Sequence, residues 1–232
     1  MDNAYVSNHT FTTTQKLYVA LKRVFDVAFA ILMLIVLSPV MLVVSIWVKC
    51  ESQGPVIFRQ KRPGYHQKIF TIYKFRSMRT ELVDSVDGHL LTTEERLTKS
   101  GNILRKASID ELPQLVNIIK GEMSFIGPRP FLINDLDSYN AEQLIRFEVL
   151  PGITSWTAIH GRASVSIQEK YDYEIYYVNN IGFKVDFEIF LKTIILVLSG
   201  KYVEDKIVRL GGEIIEDNRT AVDSIIKKDN HS

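Results

Sequence analysis

The longest apolar stretch of the chain covers residues 24–48 and dominates its hydrophobic pattern. No charged side chain occurs between Asp26 and Lys49, a run of 22 residues. An α-helix needs roughly 18–20 apolar residues to cross a hydrocarbon core of about 30 Å. The pattern therefore predicts a membrane segment over residues 15–50, preceded by a polar, flexible tail over residues 1–14.

Ser38 and Pro39 lie near the middle of this segment. Proline removes one backbone donor and crowds the carbonyl four residues earlier, so a helix that continues through it should bend. Basic residues occur on both flanks: Lys16, Lys22 and Arg23 before the segment, and Lys49, Arg59, Lys61 and Arg62 after it. Length alone favours a spanning helix, whereas two basic flanks fit a segment whose ends both lie beside anionic headgroups. We predict a re-entrant helix-break-helix with its break at Ser38 and Pro39.

The remainder of the pattern predicts an α+β, mostly helical domain over residues 51–200. Residues 56–58 and 68–73 are typical of short strands around an Arg-Pro-Gly loop. Helices are predicted over 94–104, 110–120, 134–147 and 166–180, with Gly121 ending the second. The pattern also predicts a polar loop over residues 80–92, a rigid turn over residues 127–130 and a charged tail over residues 201–232.

Residues 183–199 carry apolar side chains on most of one helical face. The opposite face holds Lys184, Asp186, Glu188 and Lys192. This amphipathic pattern fits a core helix or a helix lying in the membrane interface, and the two remain equally open on sequence.

Composition excludes several classes of protein. The net charge is only +1 over 232 residues, which gives no basic surplus for nucleic acid. Cys50 is the single cysteine, so a disulfide framework is excluded. The five histidines lack metal-ligand spacing, which argues against zinc. The polar first 15 residues do not fit a signal peptide, and P-loop, dinucleotide and nucleophile-elbow motifs are absent from the sequence.

The most informative polar cluster runs from Arg105 to Leu115, and two interpretations compete. Ser108 and Glu111 have the spacing of a capping box, or Asp110 is the N-cap with Pro113 in the first turn. Spacing alone favours capping. The same helix N-terminus would also attract a phosphate.

Asp110 and Glu111 point about 100° apart on a helix, so they would divide two tasks. One could attack phosphorus while the other holds a metal. A carboxylate that attacks a diphosphate needs cations to neutralise the charge, and Mg²⁺ with an arginine is the usual solution. Arg105 and Arg129 are the nearest candidates, and Arg129 lies on a two-proline turn that suits bidentate phosphate binding.

Three further basic residues have weaker cases as phosphate ligands. Lys74 and Arg76 end a predicted strand, and Arg162 follows Gly161 in a second turn. Each could equally be a solvated surface charge.

Nine short motifs occur in an order that resembles one bacterial family. They are Lys22-Arg-x-Phe25-Asp26, the apolar run with Ser38-Pro39, Gly54-Pro-Val-x-Phe58, Arg62-Pro-Gly64, Tyr73-Lys-Phe-Arg-Ser-Met78, Asp110-Glu-Leu-Pro-Gln-Leu115, Gly127-Pro-Arg-Pro130, Pro151-Gly-Ile-Thr154 and Gly161-Arg162. Over about residues 16–198 the chain is similar to the bacterial sugar transferases, the small monotopic phosphoglycosyl transferases that start glycoconjugate assembly.

The resemblance implies transfer of a phospho-sugar from a UDP-sugar to a polyprenyl (undecaprenyl) phosphate, with release of UMP. Asp110 would be the nucleophile, Glu111 would help to hold Mg²⁺, and Arg105 and Arg129 match the family's arginines. The re-entrant segment would sit among membrane phospholipids and keep the catalytic domain, residues 51–200, on the cytoplasmic face of the inner membrane. A homo-oligomer is compatible with the sequence.

The chain departs from the family pattern after Pro151-Gly-Ile-Thr154. Relatives usually continue Gly-(Trp/Leu)-Ala-Gln-Val-Asn-Gly-Arg-Asn, where this chain reads Ser155-Trp-Thr-Ala-Ile-His-Gly-Arg-Ala163, and Glu174 replaces the usual aspartate. The dyad is unchanged, so the reaction class is retained. Two other hypotheses remain: a bitopic membrane protein with a regulatory or scaffold domain, and a membrane-anchored phosphohydrolase.

Overall fold

The computed structural model describes residues 9–80, 91–133, 136, 139–161 and 165–199. Most of the predicted N-terminal tail, most of the 80–92 loop, Arg162 and the charged C-terminal tail lie outside these residues. The helices are α1 Thr13–Glu51, α2 Thr93–Arg96, α3 Lys99–Lys106, α4 Gln114–Lys120, α5 Trp156–Ile159, α6 Ile167–Asn179 and α7 Phe183–Leu198. The strands are β1 Ile57–Pro63, β2 Ile69–Phe75, β3 Ser124–Ile126 and β4 Gly152–Thr154. The fold is therefore a mostly helical α+β structure.

The predicted membrane segment is a single helix, α1, of 39 residues. A capping box begins it, because the Thr12 side chain accepts a hydrogen bond from the Gln15 backbone N–H and the Gln15 side chain reaches back to Thr12. The helix continues through Ser38 and Pro39, so the structure has one element where the sequence predicted two helices and a break. By length and composition α1 could cross a membrane. Its path through a bilayer stays a prediction.

Both halves of α1 pack on the domain. Ala30 belongs to a buried cluster with residues of β2 and α4, and Val44 and Val48 belong to a second cluster with Phe75 and Leu104. Between these contacts the helix carries its apolar side chains outward; Ile35 is 67 % exposed. The helix is therefore attached to the domain on either side of an exposed central segment.

Two small sheets shape the domain. β1 and β2 are antiparallel from the pair Ile57 and Phe75 to the pair Pro63 and Ile69, which makes them longer than predicted. β3 and β4 are parallel and only three residues each, and the sequence pattern predicts neither. Ile126 of β3 and Val149 pack with residues of α6 and α7 in a third buried cluster.

Two predicted helices are wrong in extent. The 94–104 segment is divided into α2 and α3, because the Thr98 side chain caps α3 by accepting from the Gly101 backbone N–H. In the 134–147 segment, the described residues form a 3₁₀ helix over Gln143–Glu148. This helix begins later than predicted, at Gln143, whose backbone N–H donates to Asn140 Oδ1 at 2.9 Å. The 166–180 and 183–199 predictions are confirmed as α6 and α7.

Helix α7 exposes its apolar face. Phe183 and Ile195 are exposed, whereas Asp186 and Ile189 are buried against the domain. A core helix would bury that apolar face, so the core interpretation of residues 183–199 is wrong. The exposed apolar face is compatible with the other interpretation, a helix that lies in the membrane interface.

Candidate active site

Asp110 and Glu111 lie on a 3₁₀ helix, Ile109–Glu111, immediately before α4. The predicted single helix over 110–120 is wrong because Pro113 has no N–H to donate to the Ile109 carbonyl. Leu112 N–H donates to that carbonyl, at 3.1 Å, and closes the tighter turn. Both carboxylates are 3 % exposed.

The capping interpretation of the dyad is wrong. Ser108 has left-handed backbone angles, φ 56° and ψ 17°, and makes no side-chain cap bond among the described residues. The residue at the N-cap of α4 is Pro113, which has no polar side-chain group to cap with. Gly121 ends α4 in the left-handed conformation as predicted, with φ 87°. The two buried acids therefore need another explanation.

Two cations face Glu111. Lys74 Nζ, from β2, and Arg129 Nη2, from the Gly-Pro-Arg-Pro turn after β3, each lie 3.4 Å from Glu111 Oε1. Both cations also line a small pocket, the basic pocket, formed by Arg62, Ile72, Lys74, Gln114, Arg129, Pro130 and Gly152. The structure thus brings Lys74 and Arg129 to the dyad.

Sequence reasoning missed two members of the basic pocket. Arg62 and Gln114 are both buried. The available signal is their place in two of the ordered motifs, Arg62-Pro-Gly64 and Asp110–Leu115.

Arg105 lies in the last turn of α3, which leads into the dyad. Its Nε donates to Ser77 Oγ at 2.8 Å, which ties α3 to the segment after β2. Gly101 permits this contact, because a Cβ there would lie 1.9 Å from the Ser77 carbonyl oxygen. The Arg105 guanidinium group is therefore held against the segment that follows β2.

Arg76 does not join the other cations at Glu111. Its Nη2 donates to the Val48 carbonyl at 3.1 Å and to the Ser52 carbonyl at 2.6 Å, at the C-terminal end of α1. Free carbonyls at a helix C-terminus attract a cation. In the structure Arg76 therefore anchors the end of α1, and its phosphate contact stays a prediction. Arg162 lies outside the described residues, and its role stays a prediction.

A buried arginine that the sequence analysis overlooked supports the Arg129 turn. Arg146 Nη2 donates to the Arg129 carbonyl oxygen and lies 2.8 Å from Glu174 Oε2. Its guanidinium carbon is 4.0 Å from the centre of the Phe131 ring, a cation–π distance. Arg146 therefore fixes the backbone of the residue that faces Glu111.

A second buried polar cluster fixes α1 against α7. Lys22 Nζ lies 2.7 Å from Asp186 Oδ2, and the Tyr177 hydroxyl donates to Asp186 Oδ1 at 2.9 Å. Ser124 Oγ donates to Asp26 Oδ2 at 2.6 Å, which joins β3 to the same helix. Burial, followed by the charge of Asp186, raises the pKa of the Tyr177 hydroxyl well above its usual value, so it stays a donor. The Lys-Arg-x-Phe-Asp motif thus positions the apolar helix.

Glu111 is the candidate metal ligand, and the Asp110 carboxylate lies beside it on the same 3₁₀ helix. Among the residues that the structure describes, no group of three or more acidic, histidine or cysteine side chains could hold a metal ion. Mg²⁺ does not require one, since it commonly binds one or two carboxylates together with substrate phosphates and water. The donor set at the dyad fits that chemistry.

The model of the bacterial sugar transferase family matches residues 17–200. The chain belongs to this family. The resemblance expected from the ordered motifs is therefore confirmed for most of the length of this sugar transferase.

Three similar proteins illustrate the range of the family. The chain is 45 % identical over 184 residues to an uncharacterized sugar transferase, EpsL, of Bacillus subtilis, covering 79 % of this chain and 90 % of EpsL. It is 37 % identical over 190 residues to a UDP-N-acetylgalactosamine-undecaprenyl-phosphate N-acetylgalactosaminephosphotransferase of Aeromonas hydrophila, covering 79 % and 45 %. It is 37 % identical over 182 residues to a UDP-glucose:undecaprenyl-phosphate glucose-1-phosphate transferase of Escherichia coli, covering 75 % and 39 %. This sugar transferase thus spans less than half of the two relatives with named substrates.

Proposed function

We propose that the protein is a phosphoglycosyl transferase that moves a phospho-sugar from a UDP-sugar to undecaprenyl phosphate, the initiating step of a bacterial polysaccharide or other glycoconjugate. One observation carries the proposal: two buried adjacent carboxylates, with Lys74 and Arg129 facing Glu111, lie on a domain attached to a long apolar helix. The names of the Aeromonas and Escherichia relatives support both substrates.

In this proposal an Asp110 oxygen attacks the phosphorus that bears the sugar. The bond from that phosphorus to the bridging oxygen breaks, and UMP leaves with the electron pair. An oxygen of the acceptor's phosphate then attacks the same phosphorus and displaces Asp110, giving a polyprenyl diphosphate sugar and the free carboxylate. The two substrates therefore react one after the other, with ping-pong kinetics.

The cations divide the work of charge neutralisation. Lys74 and Arg129 face Glu111, where they would bind the donor's diphosphate. Arg105 and Arg162 would be further phosphate ligands. Glu111 would hold Mg²⁺, which when bound neutralises developing negative charge on phosphate oxygens.

The membrane arrangement in this proposal is monotopic, on the cytoplasmic face of the bacterial inner membrane. Both halves of α1 contact one domain, which supports an arrangement with both ends of the helix on one side of the bilayer. Its exposed centre around Ser38 and Pro39 would dip among the phospholipid chains. The exposed apolar face of α7 would lie in the same interface. A soluble nucleotide sugar and a lipid phosphate can meet at that depth.

The activity is tested with purified protein in nanodiscs, Mg²⁺ and a panel of UDP-sugars that includes UDP-glucose and UDP-N-acetylgalactosamine. We expect multiple turnovers of UMP release with one donor, only when undecaprenyl phosphate is present. A scaffold would release no UMP with any donor, and a phosphohydrolase would release phosphate or sugar without the lipid. Either result would reject the proposal.

Topology is tested by cysteine labelling in intact cells. Cys50 is replaced by serine and Thr10 by cysteine, and we expect Thr10→Cys to be shielded from an impermeant outside reagent. Labelling from outside would show that α1 spans the bilayer. Replacing Ser38 and Pro39 with alanine and leucine restores an unbroken donor series, and should shift the helix toward spanning if the proline is what returns it.

A further inference from the structure

A second cavity, the apolar cavity, opens beside the dyad and has a volume of about 500 Å³. It lies between α1, α7 and the β3–β4 pair. Its apolar wall comes from Phe25, Phe29, Phe125, Ile153, Phe190 and Ile194. Glu111 belongs to its lining, so the cavity reaches one member of the dyad.

Most polar side chains that line the apolar cavity have partners within the protein. Thr154 Oγ1 and Thr193 Oγ1 are 2.8 Å apart and share a hydrogen bond. Asp26 accepts from Ser124, and Glu111 faces Lys74 and Arg129. These groups are therefore accounted for by the fold.

Ser108 differs from the other polar groups of this lining. Its Oγ is buried from solvent and has no hydrogen-bond partner among the described residues. Buried hydroxyl groups nearly always have a partner, so an exception points to a ligand that the protein atoms do not include.

The backbone of Ser108 gives no reason for a serine. Its left-handed conformation is adopted at lower cost by glycine or asparagine. Its side chain caps neither the 3₁₀ helix nor α4. The hydroxyl two residues before Asp110 is therefore unexplained by local structure.

We propose that the apolar cavity binds the prenyl chain of the acceptor lipid and that Ser108 Oγ donates a hydrogen bond to an oxygen of its phosphate. This inference rests on the proposed function. The cavity lies between the two helices with exposed apolar faces, α1 and α7, so a lipid chain can enter it from the bilayer. Lys74 and Arg129 line the basic pocket and not the apolar cavity, so the cations that would bind the donor lie apart from the cavity that would take the lipid chain.

The test separates the two half-reactions. A burst of UMP from enzyme and UDP-sugar alone reports the donor step, and transfer to undecaprenyl phosphate in nanodiscs of phosphatidylethanolamine and phosphatidylglycerol reports the acceptor step. For Ser108→Ala we expect an unchanged burst and a loss of about tenfold or more in kcat/KM for the lipid, as for a hydrogen bond to a charged group. Because the Ser108 hydroxyl has no partner among the residues that the structure describes, the melting temperature of Ser108→Ala should not fall.

Ser166→Ala is the matched control, since it removes an exposed hydroxyl that caps α6. It should leave kcat/KM for the lipid unchanged while lowering the melting temperature slightly. Unchanged lipid kinetics in Ser108→Ala, or an equal loss in the donor burst, would overturn the inference. Absence of any burst in the wild-type protein would instead reject the proposed function.

A second variant keeps the inference testable if Ser108→Ala folds poorly. Ile194 lines the cavity from α7 and is 41 % exposed, so a larger side chain there can be accommodated at the surface. Ile194→Trp should raise the KM for undecaprenyl phosphate severalfold and leave the donor burst unchanged. An unchanged KM would show that the prenyl chain does not enter this cavity.

Discussion

Asp110→Asn is expected to reduce acceptor-dependent UMP release by at least about a thousandfold, the scale seen when a catalytic nucleophile is removed. The amide has nearly the same size as the carboxylate but cannot form the acyl phosphate. The assay is UMP release from the preferred UDP-sugar, with undecaprenyl phosphate present. A labelled sugar-phosphate should remain on wild-type protein after a donor-only incubation and be absent from the variant.

The matched control for this variant is Asp172→Asn. Asp172 is an exposed residue of α6 that accepts a hydrogen bond from the Gln168 side chain, so the same chemical change there should leave turnover unaffected. Full turnover by Asp110→Asn would remove Asp110 as the nucleophile. A lower melting temperature with full activity would return the dyad to a structural role.

The sequence located the dyad and named Lys74 and Arg129 among its candidate cations, but it could not separate them from Arg76. Asp110 and Glu111 stood out through motif order, which a single chain displays directly. Lys74 lies 37 residues from Glu111 in sequence, and only the pairing of β1 with β2 and its packing on α4 bring them together. Arg76 lies two residues after Lys74, and this proximity predicts a shared role, yet Arg76 contacts the end of α1. Their nearness in sequence therefore does not indicate that Lys74 and Arg76 contact different parts of the protein.

The fold was predicted best where a long pattern repeats. Helices α1, α6 and α7 each follow a sustained apolar period and were found close to their true limits. Strands β3 and β4 are three residues each, too short for an alternating pattern, and their pairing depends on a contact between Ser124 and Gly152. The 3₁₀ helix at the dyad depends on one missing N–H at Pro113, which shifts a single hydrogen bond. A periodic hydrophobic pattern cannot reveal rearrangements that involve only two or three residues.

Arg146→Met should destabilise the protein by about 3–5 kcal/mol, the cost of leaving one charge of a buried ion pair without its partner. Both side chains of the pair with Glu174 are almost fully buried, at 3 % and 2 % exposure. Methionine keeps much of the apolar volume against Phe131, so the loss reports mainly the charge. Thermal unfolding followed by circular dichroism in detergent micelles measures the effect.

The exposed pair Lys192 and Glu188 is the control for Arg146→Met. Its atoms lie 2.6 Å apart, but both side chains are 44 % exposed. Lys192→Met should therefore change stability by less than about 1 kcal/mol, although its ion pair is the shorter of the two. In the double variant Arg146→Met/Glu174→Gln the buried charge is gone, and part of the lost stability should return. If Lys192→Met and Arg146→Met lowered the free energy of unfolding equally, burial of the Arg146 ion pair would not be what stabilises this region.

A kinetic measurement separates support of the fold from support of the site. Arg146 donates to the Arg129 carbonyl, so its loss frees the turn that directs the Arg129 guanidinium at Glu111. In the double variant, where stability is partly restored, the KM for the UDP-sugar should remain severalfold raised while the KM for the lipid acceptor stays near its wild-type value. If Arg146 only stabilised the domain, donor binding would recover together with the melting temperature. The donor KM therefore decides whether the buried ion pair reaches the chemistry through the backbone of Arg129.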